Sequence, residues 1–249
     1  MIDLNLKGKT YLITGASSGI GKAIAEYLTI NEGANVVLIA RNSAVINKMA
    51  DELPGDNIAF EFDLEKIEDI EKIFIYCNKN RVRLDGMVYA AGIAPLFSIE
   101  ENDIKAAETT MRINAMAFLE CARCFQNEVY SNNKSSIVAI SSILSEVVTY
   151  RQSAYAASKV ALNTYVKFLA KEFIHKMRVN SVLLSVVNTP IYEKLAKQSC
   201  NFEKNTEKKQ PLGVIETLEV SEFVAFLLSE KSKYITGSLM KMDSGFTLF

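Results

Sequence analysis

The 249-residue chain contains no tryptophan, one histidine, four prolines and four cysteines. The single imidazole, His175, has no Cys or His beside it. It lies near the end of a helical run, LAKEFIHKMRVN, where it serves as a cation or donor at a helix C-terminus. Of the cysteines (Cys77, Cys121, Cys124 and Cys200), only Cys121 and Cys124 are close, within the helical stretch NAMAFLECARCFQNEV. A zinc centre would need two further ligands. Positions three apart share one helix face, so the pair is expected to be two small buried apolar residues, and no metal site is predicted. Charge of one sign is also lacking. Lys and Arg number 28 against 29 for Asp and Glu, a formal net charge of −1. That balance argues against a nucleic-acid partner, whose phosphates call for an excess of basic residues. No apolar stretch approaches the roughly 20 residues that span a bilayer. The opening MIDLNLKGKTYLITG has none of the features of a secretory leader. These absences predict a soluble, cytoplasmic protein with no membrane partner.

No Pro-, Gly- or Ser-rich linker, internal repeat or low-complexity tract interrupts the chain. Residues 1–249 are therefore read as one domain, long enough to bury a core without disulfides or metals. Seven short runs rich in β-branched residues stand out: Tyr11–Thr14, Val36–Ala40, Ile58–Phe62, Met87–Ala90, Ile137–Ser141, Val179–Leu184 and Leu239–Met242. Most are continuously apolar, as in parallel strands buried on both faces. Amphipathic segments separate them: Ile20–Asn31, Ala44–Leu53, Glu65–Asn78, Glu101–Met111, Asn114–Tyr130 and Ser153–Lys176. This alternation predicts an α/β fold of the Rossmann type, a doubly wound parallel sheet of about seven strands with helices on both faces. The charge-dense stretch Glu193–Gln210 follows the sixth strand, where such sheets bind ligands. It reads either as a solvated surface or as part of a substrate lid over residues 190–212.

The first strand runs into Thr14-Gly15-Ala16-Ser17-Ser18-Gly19-Ile20-Gly21, where a helix opens. Strand, glycine turn and helix together are the setting of a dinucleotide site. Gly15 suits the tight turn, Gly19 a close approach of backbone to diphosphate, and Gly21 close packing of helix on strand. The helix start offers free N–H groups to phosphate. After the second strand stands Ile39-Ala40-Arg41-Asn42, with no carboxylate for a ribose 2′-hydroxyl. Arg41 can pair with a 2′-phosphate instead, with Ser17, Ser18 and Asn42 adding hydrogen bonds. The expected cofactor is NADP(H).

After the fifth strand come Ser142, Tyr155 and Lys159. Tyr155 and Lys159 are four apart and leave one helix face. A neighbouring ammonium favours the phenolate, so Tyr155 is expected to be lowered from the tyrosine value near 10. It could then exchange a proton with a carbonyl or alcohol oxygen that Ser142 also bonds.

These residues, with Asp63, Asn114 and Arg178-Val179-Asn180, resemble the short-chain dehydrogenase/reductase family over essentially the whole chain. Ser142 precedes Tyr155 by 13 positions, as the family's catalytic serine does. Tyr234-Ile235-Thr236-Gly237 and Met242-Asp243-Ser244-Gly245-Phe246 look like its closing strand and flanks. The resemblance implies that Asp63 and Leu64 contact adenine and that Ala90, Ala91 and Gly92 pass beside the ribose and diphosphate. It implies that Asn114 holds a water in a proton relay through Lys159, and that Val187 and Thr189 hold the nicotinamide carboxamide. The family's Asn-Asn-Ala-Gly is here Tyr89-Ala90-Ala91-Gly92, and its Pro-Gly is Leu184-Ser185. Read alone, Asn114 would be a helix N-cap.

The implied reaction is NADPH-dependent reduction of a carbonyl to a secondary alcohol. The layout is similar to that of 3-oxoacyl-carrier-protein reductases, whose substrate is an acyl thioester. The alternative is a sugar, polyol or other secondary-alcohol dehydrogenase. A non-catalytic dinucleotide-binding protein would be signalled by loss of Ser142, Tyr155 or Lys159, and all three are present. The resemblance also implies a homotetramer. Apolar residues on more than one face of Ser153–Lys176 (Ala154, Ala157, Ala161, Leu162, Tyr165, Phe168 and Leu169) agree with it, as does a surplus at Phe118, Cys121, Ala122 and Phe125.

Overall fold

The structure, a computed structural model, describes residues 3–101, 103–190, 192–193, 206 and 208–248. Seven strands form one sheet: β1 (Thr10–Thr14), β2 (Asn35–Ala40), β3 (Ile58–Glu61), β4 (Leu84–Tyr89), β5 (Ser131–Ser142), β6 (Met177–Leu184) and β7 (Leu239–Met242). Their order is β3-β2-β1-β4-β5-β6-β7, and every pairing is parallel. The predicted doubly wound sheet is therefore the observed one.

Seven α-helices lie among the described residues: α1 (Gly19–Ile30), α2 (Ser43–Glu52), α3 (Glu71–Lys79), α4 (Ile104–Met111), α5 (Ala117–Phe125), α6 (Ser153–Glu172) and α7 (Thr217–Leu228). Alternate strand residues feed opposite faces of the sheet. Leu12, Val37, Ile39, Met87 and Ile137 pack with residues of α3, α5 and α6. Tyr11, Ile13, Val36, Leu38 and Val138 pack with residues of α1, α2 and α7. The apolar runs of these strands are nearly continuous because both faces of the sheet are covered.

The departures from the sequence pattern have local causes. β5 begins at Ser131, earlier than its apolar run, because backbone pairing carries the polar SNNKSS segment. Its register with β4 shifts between Leu84 and Gly86, and Lys134 in the irregular stretch has φ 64°. The segment expected as Glu65–Asn78 divides into a 3-10 turn at Ile67–Asp69 and then α3. Helix α7 has no counterpart among the expected segments. Val220, Val224, Leu227 and Leu228 recur at helical spacing, and they are buried against α1.

The apolar surplus expected on α5 is not there. Phe118, Cys121, Ala122 and Phe125 are fully buried inside the chain, while Leu119 is 37% exposed. On α6 Leu162 and Leu169 are likewise buried, whereas Phe168 is 61% exposed. Within the lid region, residues 191, 194–205 and 207 lie outside the described residues. Its end is anchored: buried Gln210 accepts from Val186 N at 2.9 Å and donates to Val186 O at 3.2 Å. No helix among the described residues is long and apolar enough to cross a membrane.

Candidate active site

The strand order reverses between β1 and β4, and a crevice opens beyond their carboxyl ends. The crevice has a volume of about 1190 Å³. That exceeds the roughly 300–1,000 Å³ of a pocket for one small molecule, leaving room for two ligands side by side. The glycine turn, Arg41, Asp63, Leu64, Ala90–Gly92, Ser142, Tyr155, Lys159, Val187 and Thr189 all line it. Asn42 and Asn114 are not among its lining residues.

The first half of the crevice is built by the β1–α1 turn. Gly15 has φ +68°, and a Cβ there would meet Ala91 Cα at 2.9 Å. A Cβ on Gly21 would meet the Gly15 carbonyl oxygen at 2.5 Å, so α1 could not pack so close to the strand. Ser18 caps α1 by position, yet its side chain makes no capping hydrogen bond. The first turn of α1 carries no acidic residue. Its N–H groups and two nearby hydroxyls are thus free for an anion, and the helix end favours negative charge. Arg41 is exposed at the crevice wall and forms no ion pair with a described residue. Asn42 is drawn elsewhere: its Oδ1 accepts from Val45 N at 3.2 Å and caps α2. Serine and arginine side chains, a bare helix start and a close glycine backbone form a donor set that fits a dinucleotide carrying an additional phosphate.

Beside Ala90, Thr14 holds the backbone of the β4 exit. Its Oγ1 accepts from Ala90 N at 3.1 Å and from Ala91 N at 3.2 Å, tying the β4 exit to β1. Thr14 is fully buried and has no role in the sequence reading beyond its place in the glycine motif. Tyr89, also fully buried, donates its hydroxyl to the Ile113 carbonyl. After β6, Ser185 lines the crevice at the position of the family's glycine, and its Oγ is buried without a hydrogen-bond partner among the described residues.

Asn114 sits within a π-helical turn, Arg112–Met116, between α4 and α5 rather than at a helix start. Its carboxamide is occupied. Oδ1 accepts from Ile93 N at 2.9 Å, and Nδ2 donates to Ile93 O and Ser158 Oγ, both at 2.9 Å. The side chain thereby clamps the loop after β4 to α6. Since both amide protons are used, any water bound by this residue would have to find another group of it, such as its main-chain carbonyl.

The second half of the crevice brings Ser142, at the end of β5, against α6. Ser142 Oγ accepts from Leu144 N at 3.1 Å, which leaves its proton free. Its side chain hydrogen-bonds Tyr155. Lys159 is buried, and its Nζ donates to the Ile140 carbonyl at 2.8 Å while lying 5.6 Å from the centre of the Tyr155 ring. Burial holds Lys159 down to about 8. Tyr155 differs from expectation: burial raises its phenol above the ordinary value, and only the bond from Ser142 pulls it down. The remaining wall includes Tyr150 and Gln152, which the sequence did not single out, with Tyr192 and Lys209 from the predicted lid region and Phe246 from the closing flank. They come from segments far apart in the sequence that only the fold brings together.

Residues 15–247 match the family described as Enoyl-(Acyl carrier protein) reductase. The chain is 32% identical to human 3-oxoacyl-[acyl-carrier-protein] reductase over 242 residues, covering 96% of this chain and 98% of that protein. It is 30% identical to the NAD-dependent glycerol dehydrogenase of Listeria innocua, covering 99% and 96%. Among solved structures, L-sorbose reductase of Gluconobacter frateurii with NADPH and L-sorbose superposes with a TM-score of 0.89 at 25% identity, covering 98% of each chain. The fold and these likenesses define an oxidoreductase of alcohol and carbonyl groups. The chain belongs to the short-chain dehydrogenase/reductase family.

Proposed function

We propose that the protein reduces a carbonyl to a secondary alcohol with NADPH. The observation that carries this reading is the placement of Ser142, Tyr155 and Lys159 in the same crevice as the α1 start and Arg41. Arg41 and the Ser17 and Ser18 hydroxyls would hold the phosphates, with Asp63 and Leu64 at the adenine. Val187 and Thr189 would orient the nicotinamide, which supplies the hydride. With substrate bound, Ser142 would turn its proton from Tyr155 to the substrate carbonyl oxygen and hold that oxygen beside the phenol. The Tyr155 hydroxyl then gives its proton to the developing alkoxide. A phenol kept above its ordinary value is protonated at neutral pH, as the reductive direction requires. Lys159, backed by the Ile140 carbonyl, places positive charge behind the phenol as it gives up that proton.

The human relative supports a 3-oxoacyl thioester as substrate. A sugar or polyol is the second reading. In its favour stand the likenesses to a glycerol dehydrogenase and to an L-sorbose reductase. Phe168 and Leu119 on adjoining helices leave apolar surface that suits a homotetramer, and we place the enzyme in the cytoplasm. The test is NADPH oxidation followed at 340 nm with acetoacetyl thioester, ethyl acetoacetate and L-sorbose. Turnover of one or more is expected; none with NADPH but turnover with NADH would overturn the cofactor reading.

A further inference from the structure

Behind Ser142 lies a line of buried polar residues that the reaction does not use. Asn163 stands two turns beyond Tyr155 on α6, on the stripe that also carries Lys159. It is 7% exposed and is flanked by buried Leu162 and Val166, so an apolar side chain would fill this place without needing partners. Its carboxamide instead joins β6 to the turn that follows β5. Ser181 Oγ of β6 donates to Asn163 Oδ1 at 3.3 Å. Asn163 Nδ2 donates to Ser145 Oγ at 2.8 Å. Ser145 Oγ in turn donates to the Ser142 carbonyl at 2.7 Å. All three bonds run in one direction, so each hydroxyl has a single consistent orientation.

The place where this line ends is informative. Ser142, paired with Leu184, is the last residue of the β5–β6 ladder, and the chain turns there through Ile143–Ser145. Beyond that point the sheet no longer fixes the backbone. The Ser142 hydroxyl is aimed by Leu144 N within the same turn. Anything that holds the turn therefore sets the hydroxyl against Tyr155. We infer that Asn163 is a positioning residue for Ser142: through Ser145 it fixes the turn that holds the Ser142 hydroxyl against Tyr155. The inference rests on the proposed roles of Ser142 and Tyr155.

The test uses the full-length protein labelled with [13Cζ]tyrosine, with the Tyr155 resonance assigned by Tyr155→Phe. Ser145→Ala and Asn163→Leu should each move that resonance most of the way to its position in Ser142→Ala. Adding Asn163→Leu to Ser142→Ala should move it no further. With NADPH and ethyl acetoacetate, both variants should lower kcat about tenfold, and less than twofold in the Ser142→Ala background, because misplacement acts through Ser142 alone. The KM for NADPH should not change. An unmoved Tyr155 resonance in Ser145→Ala, or an equal loss of kcat with and without Ser142, would overturn the inference. Should Asn163→Leu fail to fold, Ser145→Ala decides alone. Normal turnover by Ser142→Ala would contradict the proposed chemistry instead, and the resonance would still report on the positioning.

Discussion

Lys159 Nζ donates to the carbonyl oxygen of Ile140, 19 positions earlier in the chain, at 2.8 Å. The bond ties the middle of α6 to β5 and keeps a buried ammonium 5.6 Å from the Tyr155 ring. A carbonyl is a partial partner for a charge, so burial still lowers the lysine from 10.5 to about 8.

That lowered value makes stability depend on pH. Between about 8 and 10.5 the unfolded chain holds a proton on Lys159 that the folded chain has lost. Stability from this group therefore rises with pH across that window, and burial of the charge costs stability below it. Lys159→Met removes the linkage. Urea unfolding of both proteins from pH 7 to 10.5 should show the wild type gaining on the variant by about 3 kcal/mol at most. A constant difference across the range would contradict the assignment.

In the proposed reading Arg41 sets the cofactor preference. Only NADPH has the 2′-phosphate, and a hydrogen bond to a charged group is worth about 1.5–3 kcal/mol. Arg41→Ala should weaken NADPH binding about ten- to a hundredfold and NADH binding hardly at all, read by quenching or enhancement of nucleotide fluorescence. Asn42→Ala should lower stability through the α2 cap by about 1 kcal/mol with no change in cofactor preference. Equal losses for both nucleotides in Arg41→Ala would remove Arg41 from the site.

The proposed homotetramer would rest on fewer residues than the sequence implied, because the apolar side chains of α5 turn inward. Phe168, 61% exposed, and Leu119, 37% exposed, are the best remaining candidates for an interface. Light scattering at micromolar protein should give about four times the 27.7 kDa chain mass. Phe168→Glu, which puts charge into that surface, should reduce the mass while leaving each chain folded by circular dichroism. A wild-type monomer, or a tetramer indifferent to Phe168→Glu, would refute this interface.

Much of the architecture could be read from the chain because buried parallel strands have a plain signature. Val36–Ala40 and Leu239–Met242 stand out from their polar flanks, and both are strands. Ser131–Lys134 could not be read this way, since its pairing with β4 uses backbone groups that any sequence carries. The Tyr155–Lys159 spacing places both residues on one face, as helix geometry requires, yet it says nothing about what a long side chain meets at its tip. Hence the Ile140 partner of Lys159 was hidden, and so was the burial that raises Tyr155. Thr14, Asn114, Ser145 and Asn163 act through partners far away in sequence, so their contacts appear only once the sheet is assembled.

The central claim is that Tyr155 supplies the proton in a carbonyl reduction. Tyr155→Phe keeps the ring and its packing while removing the hydroxyl. NADPH consumption at 340 nm should be compared for wild type and variant on the best substrate among the thioester, keto ester and sugar. The account predicts a fall of at least about a hundredfold in kcat, with NADPH affinity unchanged within a few-fold. A Tyr155→Phe enzyme that turns over near the wild-type rate would contradict it.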